Sequence, residues 1–151
     1  VVLLDQATKA LVAANLLPYE SWAPIKSLDH LFNITYVTNT GTAFGLFKDK
    51  GTFFLLVAVI VTGGIIYYYR HLEPEEDSWL ARLAFGLMLG GAIGNLVDRV
   101  RVGHVIDFIH VSFWAVFNVA DSCIVCGVLL IAAVLLWNER KDSKEPSAGA
   151  S

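Results

Sequence analysis

Three apolar blocks constrain this chain more than anything else in it. Residues 52–69, 79–97 and 113–137 run almost without charge, and each approaches or exceeds the roughly 18–20 apolar residues that a helix needs to cross a hydrocarbon core. No water reaches a peptide group inside a bilayer, so segments of this kind must satisfy their own backbones, as helices. Composition agrees with that reading. Of the 151 residues, 56% are hydrophobic and only 17% charged, where soluble proteins carry about 25%. A water-soluble globular domain is excluded. A net charge of −3 with no basic stripe excludes a nucleic-acid partner.

Residues 1–17 are apolar apart from Asp5, Gln6, Thr8, Lys9 and Asn15. They read as the second half of a further membrane helix, with the natural chain expected to begin upstream, and they lack the charged start of a signal peptide. Residues 18–51 are polar, aromatic and rich in turns. Within them, Leu31-Phe32-Asn33-Ile34-Thr35-Tyr36-Val37-Thr38 has the β-branched and aromatic content of a strand, and Asn39-Thr40-Gly41 supplies a turn. A small sheet at the membrane surface is expected. Tyr67-Tyr68-Tyr69-Arg70 closes one span with an aromatic belt and a cation, and residues 71–78 form an acidic loop. Residues 100–112 read as a connection. Residues 138–151 read as a charged, disordered tail behind a single membrane-embedded domain, 1–137. The fold class is therefore a membrane protein, mainly α, a four-transmembrane-helix bundle with its first helix truncated and a small sheet. Five Lys or Arg fall on either side of the membrane, so charge alone leaves the orientation open.

The polar residues inside these apolar blocks are the functional candidates, because a carboxylate at membrane depth is costly to keep without a purpose. Asp107 lies in the connection and Asp121 opens the last apolar block. No Lys or Arg between Ile106 and Glu139 neutralises either. Brought together in a dry site, two carboxylates share a proton and split their titrations, one serving as acid and the other as base. Asn118 stands three residues before Asp121, on the same face if both are helical. Asp5 and Lys9 have the spacing of a helical ion pair, acid first. Gly86, Gly90 and Gly94 make a stripe for close helix contact, with Gly91 and Asn95 in a second row. The first stripe ends at Asp98 and Arg99, a clamp for the Asp107 segment. His104 and His110 flank Asp107, but their spacing matches no standard ligand motif. Cys123 and Cys126 lack a second pair and read as small helix residues. From these residues alone a proton-coupled transporter and a non-catalytic scaffold remain open beside an enzyme.

The motifs Asp5-Gln6-Ala7-Thr8-Lys9, Asn39-Thr40-Gly41-Thr42-Ala43-Phe44, Gly94-Asn95-Leu96-Val97-Asp98-Arg99, Gly103-His104-Val105-Ile106-Asp107-Phe108 and Phe117-Asn118-Val119-Ala120-Asp121-Ser122 occur in this order. Together they resemble the lipoprotein signal peptidases, also called signal peptidase II. That resemblance implies an aspartyl endopeptidase of the bacterial plasma membrane, with four transmembrane helices and an extracytoplasmic β-cradle. It implies cleavage of diacylglyceryl-modified prolipoproteins just before the lipidated cysteine. The catalytic pair would be Asp107 and Asp121. Asn39, Gly41, Asn95, Asp98, Arg99, Asn118, Ala120, Asp5 and Lys9 would support or line the site. Both termini would be cytoplasmic and the site near the outer face. The expected partners are the lipidated substrate and membrane lipid, with the enzyme a monomer, and the chemistry calls for no metal and no cofactor.

Overall fold

The computed structural model describes residues 1–40, 51–72 and 78–142. Gly41, with the rest of its motif through Phe44, lies outside the described residues, as do the acidic loop residues 73–77 and the tail from 143 onward. The elements run α1 (Val2–Asn15), β1 (Ser21–Trp22), β2 (Phe32–Asn39), α2 (Gly51–Arg70), α3 (Trp79–Val102), β3 (Val105–Val111) and α4 (Val119–Asp142). Among the described residues, three helices are long and apolar enough to span a membrane, at Thr52–Arg70, Trp79–Val102 and Val119–Asn138. The fourth, α1, has 14 residues and lies against α3 and α4.

The strands form one antiparallel sheet in the order β1-β2-β3. β2 and β3 pair in one register from Phe32↔Val111 to Ile34↔Ile109 and in another from Val37↔Asp107 to Asn39↔Val105. Thr35 and Tyr36 therefore stand against Phe108 alone, a β-bulge of the kind that re-aims side chains beside functional sites. Past the bulge Asn39 lies opposite Val105, so it shares a face with Asp107 and reaches it diagonally.

Three boundaries depart from expectation. The third helix does not stop at Val97 where its polar residues begin; its backbone bonds continue to Val102. Gly103 then ends it in the left-handed conformation, φ 80°, with its N–H bonded to Arg99 O at 3.2 Å. This is the glycine-specific helix stop. The connection that follows contains β3, a strand that was not anticipated. The last helix does not start at Phe113. Residues 113–118 turn back to the sheet, where Phe117 bridges Ile109, and α4 begins at Val119 and continues to Asp142, into the residues expected to be tail.

The interior is inverted relative to a soluble core. Its buried apolar residues are mostly small, among them Ala81, Ala84, Ala92 and Ala120. The largest fully buried side chains are Lys9, Asn118, Asp5 and Asp107. Lipid is as apolar as leucine, so helices associate here through close backbone approach and polar contacts. The glycines divide that task. A Cβ at Gly90 would stand 2.6 Å from Val1 Cβ, one at Gly94 2.6 Å from Asp5 Oδ2, and one at Gly91 would collide with Ala120 O. Gly86, expected in the same stripe, is exposed and meets no described atom within 4 Å. The stripe is thus a contact only where α1 covers it.

Candidate active site

Asp5 and Lys9, one helical turn apart on α1, are 0% and 2% exposed. An ammonium offers three N–H donors and no acceptor. Lys9 Nζ meets three acceptors: Asp5 Oδ2 at 2.8 Å, Asp98 Oδ2 at 2.8 Å and Asn95 Oδ1 at 3.0 Å. A buried charge persists only when paired and hydrogen-bonded in this way. Each carboxylate then uses its other contacts to fix a different element. Asp5 Oδ1 accepts from Ala120 N at 3.0 Å, which ties α1 to the N-terminus of α4. Asp98 Oδ2 accepts from Ile106 N at 3.2 Å and so anchors the strand residue before Asp107, the clamp expected at the end of the glycine stripe. Gln6 Nε2 joins the two acids, bonding Asp98 Oδ1 at 2.8 Å, Asp5 Oδ2 at 3.2 Å and Gly94 O at 3.2 Å.

Asp107 and Asp121 arrive from β3 and α4 and are linked by two asparagines. Asn118 is not on a helix face with Asp121; it caps α4. Its Oδ1 accepts from Asp121 N at 2.9 Å, and Asp121 Oδ2 accepts from Asn118 N at 3.3 Å, a reciprocal cap. Its Nδ2 is then free to donate to Asp107 Oδ1 at 2.6 Å and to Asn95 Oδ1 at 3.1 Å. Asn95 Nδ2 donates to Asp121 Oδ1 at 2.7 Å, and Asn39 Nδ2 to Asp107 Oδ2 at 2.7 Å. Every carboxylate oxygen of the pair thus accepts an N–H.

The two acids differ in surroundings. Asp107 is 2% exposed, whereas Asp121 is half-buried. Burial pushes the Asp107 carboxyl up to about 6, opposed by the Asn39 amide, assisted by the Asp121 charge, and opposed again by Asn118 and Lys9. Desolvation penalises the charged form, and donors to the carboxylate favour it. The Arg99 charge acts on Asp121, Asp107 and Asp98, while Arg99 Nη1 donates to Asn95 O at 3.3 Å.

Asp5, Lys9, Asn39, Asn95, Asp98, Arg99, Asp107, Asn118 and Asp121 thus meet around one polar centre, and Ala120 joins it through its backbone N–H. Gln6 and an apolar cavity next to the sheet were not anticipated. Gln6 stands inside the first motif, and an amide within an apolar block was the available signal. The cavity, of about 630 Å³, lies between α1 and the sheet and is lined by Leu11, Leu16, Trp22, Ile34 and Phe108 among others. It depends on strand pairing, which leaves no local trace. His110 faces Thr35, Nδ1 to Oγ1 3.3 Å, and Cys123 and Cys126 are free thiols on α4.

A multi-pass helical membrane protein with two aspartates, bridged by asparagine amides where a small sheet meets the helices, has the form of a membrane-embedded acid–base hydrolase. Comparison with known proteins narrows the class. The family profile described as signal peptidase (SPase) II matches residues 1–137. A lipoprotein signal peptidase of Caldanaerobacter subterraneus subsp. tengcongensis is 46% identical over 138 residues, 91% of each chain. Another, of Moorella thermoacetica, is 44% identical over 146 residues, 97% of this chain and 94% of that one. A bacterial membrane enzyme solved by the in meso method at 2.3 Å superposes with a TM-score of 0.79 at 31% identity, covering 99% of this chain and 89% of that one. A second, at 1.9 Å, gives 0.77 at 34%, covering 89% and 86%. The chain belongs to the signal peptidase II family. It is accordingly a peptidase, and the transporter and scaffold readings fall away.

Proposed function

We propose that this chain removes the signal peptide of lipoprotein precursors with Asp107 and Asp121 as its catalytic pair. The observation that carries the assignment is the double bridge through Asn118 and Asn95, which ties both carboxylates to one another while leaving Asp121 half-exposed. Asp107 is the more deeply buried of the two, and burial raises its carboxyl to about 6. One carboxylate of the pair, ionised, accepts a proton from water as that water attacks the scissile carbonyl. The other, protonated, donates a hydrogen bond to the carbonyl oxygen. The tetrahedral intermediate collapses with breakage of the C–N bond, and a proton delivered from the pair leaves with the amine. The pair titrates as a unit, so the roles belong to the dyad as a whole.

The substrate is a prolipoprotein whose lipobox cysteine carries diacylglycerol, cut immediately before that cysteine. The acyl chains stay in the bilayer, and the exposed Asn39 at the rim orients the peptide backbone. Gly41 belongs to the same motif as Asn39 and is assigned with it to the substrate-binding residues. The enzyme acts as a monomer in the bacterial plasma membrane, with both termini cytoplasmic and the sheet and dyad at the extracytoplasmic face. The test is cleavage of a diacylglyceryl-modified precursor by wild type, Asp107→Asn and Asp121→Asn, each checked for folding by thermal unfolding. Loss of at least about 10³-fold in kcat by both folded variants is expected. Turnover near wild type in either would sink the assignment. Equal cleavage of an unlipidated lipobox peptide would remove the lipid requirement.

A further inference from the structure

We propose that Lys9 is a positioning residue that sets the polarity of both site asparagines, so that each presents its NH2 group to a catalytic carboxylate. This rests on the dyad reading above. The chain of constraints starts at a group that can only donate. Lys9 Nζ is enclosed, and its three contacts are all oxygens. Asn95 must therefore turn its Oδ1 toward Lys9. A side-chain amide has one oxygen and one nitrogen, so the Asn95 NH2 necessarily points the other way, at Asp121 Oδ1, 2.7 Å off.

The constraint continues through the same oxygen. Asn95 Oδ1 also accepts from Asn118 Nδ2 at 3.1 Å and, with Ile106 O 3.3 Å from the same nitrogen, holds the second amide with its nitrogen inward. That nitrogen lies 2.6 Å from Asp107 Oδ1, and the Asn118 oxygen is left to accept the Asp121 N–H at 2.9 Å. One ammonium on α1 thus orients two amides on α3 and at the cap of α4, and through them both acids of the dyad. The hydrogen-bond partners of Lys9 are Asp5, Asp98 and Asn95, not Asp107 or Asp121.

Removal of the ammonium frees Asn95 to rotate by half a turn. Its oxygen would then face Asp121, a pairing that favours the protonated acid over the carboxylate. Among the described residues, the charged groups around the pair are Asp5 and Lys9 on α1, Asp98 and Arg99 on α3, Asp107 on β3 and Asp121 itself on α4. All but Lys9 remain in a Lys9→Met variant, so the loss of base function adds to the loss of a positive charge, and both act in the same direction.

The experiment measures kcat and KM against pH for cleavage of the diacylglyceryl-modified precursor in detergent micelles, with thermal unfolding in parallel. The enzymes are wild type, Lys9→Met, Asn95→Asp, Asp107→Asn and Asp121→Asn. Asn95→Asp keeps an acceptor for Lys9 but has no N–H for Asp121 or for any rotated state, so it reports on polarity even if Lys9→Met does not fold. Both variants are expected to lose about a hundredfold in kcat, as when a positioned donor is removed, with KM within about twofold. The acid limb of the kcat profile should move upward by about one pH unit. A folded Lys9→Met or Asn95→Asp enzyme with the wild-type pH profile overturns the proposal, as does a loss of rate matched by the fraction unfolded. Inactive Asp107→Asn and Asp121→Asn enzymes beside such a result leave the dyad standing and remove only the role of Lys9. Active dyad variants remove both.

Discussion

α2 and the α1–α3–α4 junction are both built from largely apolar helices and are opposite in what they do. Only 6% of the spanning window of α2 is buried within the protein, against 39% for α3. Ile60 of α2 is 71% exposed and Val59 50% exposed, and the buried Thr62 returns its hydroxyl to Ala58 O of its own helix at 2.7 Å. Packing reaches α2 at its end, where Phe85 lies against the rings of Tyr68 and Tyr69 at 5.7 and 5.5 Å. The junction instead buries four ionisable side chains, Asp5, Lys9, Asp98 and Asp107. Hydrophobicity is enough to put a helix into a bilayer. It does not determine what lies beside it, because lipid and leucine are equivalent neighbours. Specific geometry comes from the polar residues, each of which tolerates few arrangements.

Substitutions on the two sides should therefore differ sharply. The largest effect falls on chemistry: Asp107→Asn or Asp121→Asn should lower kcat at least about 10³-fold while the protein remains folded, whereas no single substitution on the lipid face of α2 should change kcat more than about twofold. In stability, Asp98→Ala removes one partner of Lys9 and the anchor of Ile106 N. A loss of about 3–5 kcal/mol is expected, as for other broken buried pairs, read by thermal or chemical unfolding in detergent. An unchanged midpoint would mean that the junction does not govern the fold.

Gly94→Ala and Gly86→Ala sharpen the contrast within one helix. The first drives a methyl to 2.6 Å from Asp5 Oδ2, and the second meets nothing within 4 Å. Gly94→Ala should cost about 1–3 kcal/mol. Gly86→Ala should be neutral or slightly stabilising through helix propensity, and equal effects would contradict the packing described.

Asp107→Asn should stabilise the fold at alkaline pH. Its carboxyl is raised from 3.8 to about 6, so the folded state binds the proton more tightly than the unfolded state does. That penalty on the wild type is fully present above about 6 and disappears as the pH falls through 6 toward 3.8. The variant's advantage, about 1–3 kcal/mol at pH 8, should shrink over the same interval. A gap that grows on acidification would have the wrong sign. Ile60→Ala, on the lipid face of α2, should stay within about 0.5 kcal/mol.

Much of this site is legible in the sequence because polar residues stand out against apolar blocks. Asp5, Lys9, Asn95, Asp98, Asn118 and Asp121 each interrupt or open one, and the structure gathers all of them. The boundaries are less legible. Asp98, Arg99 and Arg101 look like an exit from the membrane at Val97, but a helix ends where its backbone bonds end, and that is at Gly103. Phe113 and Trp114 are apolar enough to extend a span, yet they are 81% and 69% exposed in a turn before Asn118. β3 was hidden because Val105–Val111 carries Asp107 and His110 within a short segment that has no clean alternation.

The sequence by itself determined that this is a multi-span membrane protein and which polar residues matter, because transfer into hydrocarbon depends on residue type more than on neighbours. It also carried the motifs that identify the family. Tertiary structure decided how those residues connect. The bulge opposite Phe108, the reach of Asn39 across two strands, the three oxygens around Lys9 and the order of the two asparagine amides all depend on atoms brought together from segments far apart in the chain. Hydrogen bonds constrain direction as well as distance, and direction is a property that only the folded arrangement possesses.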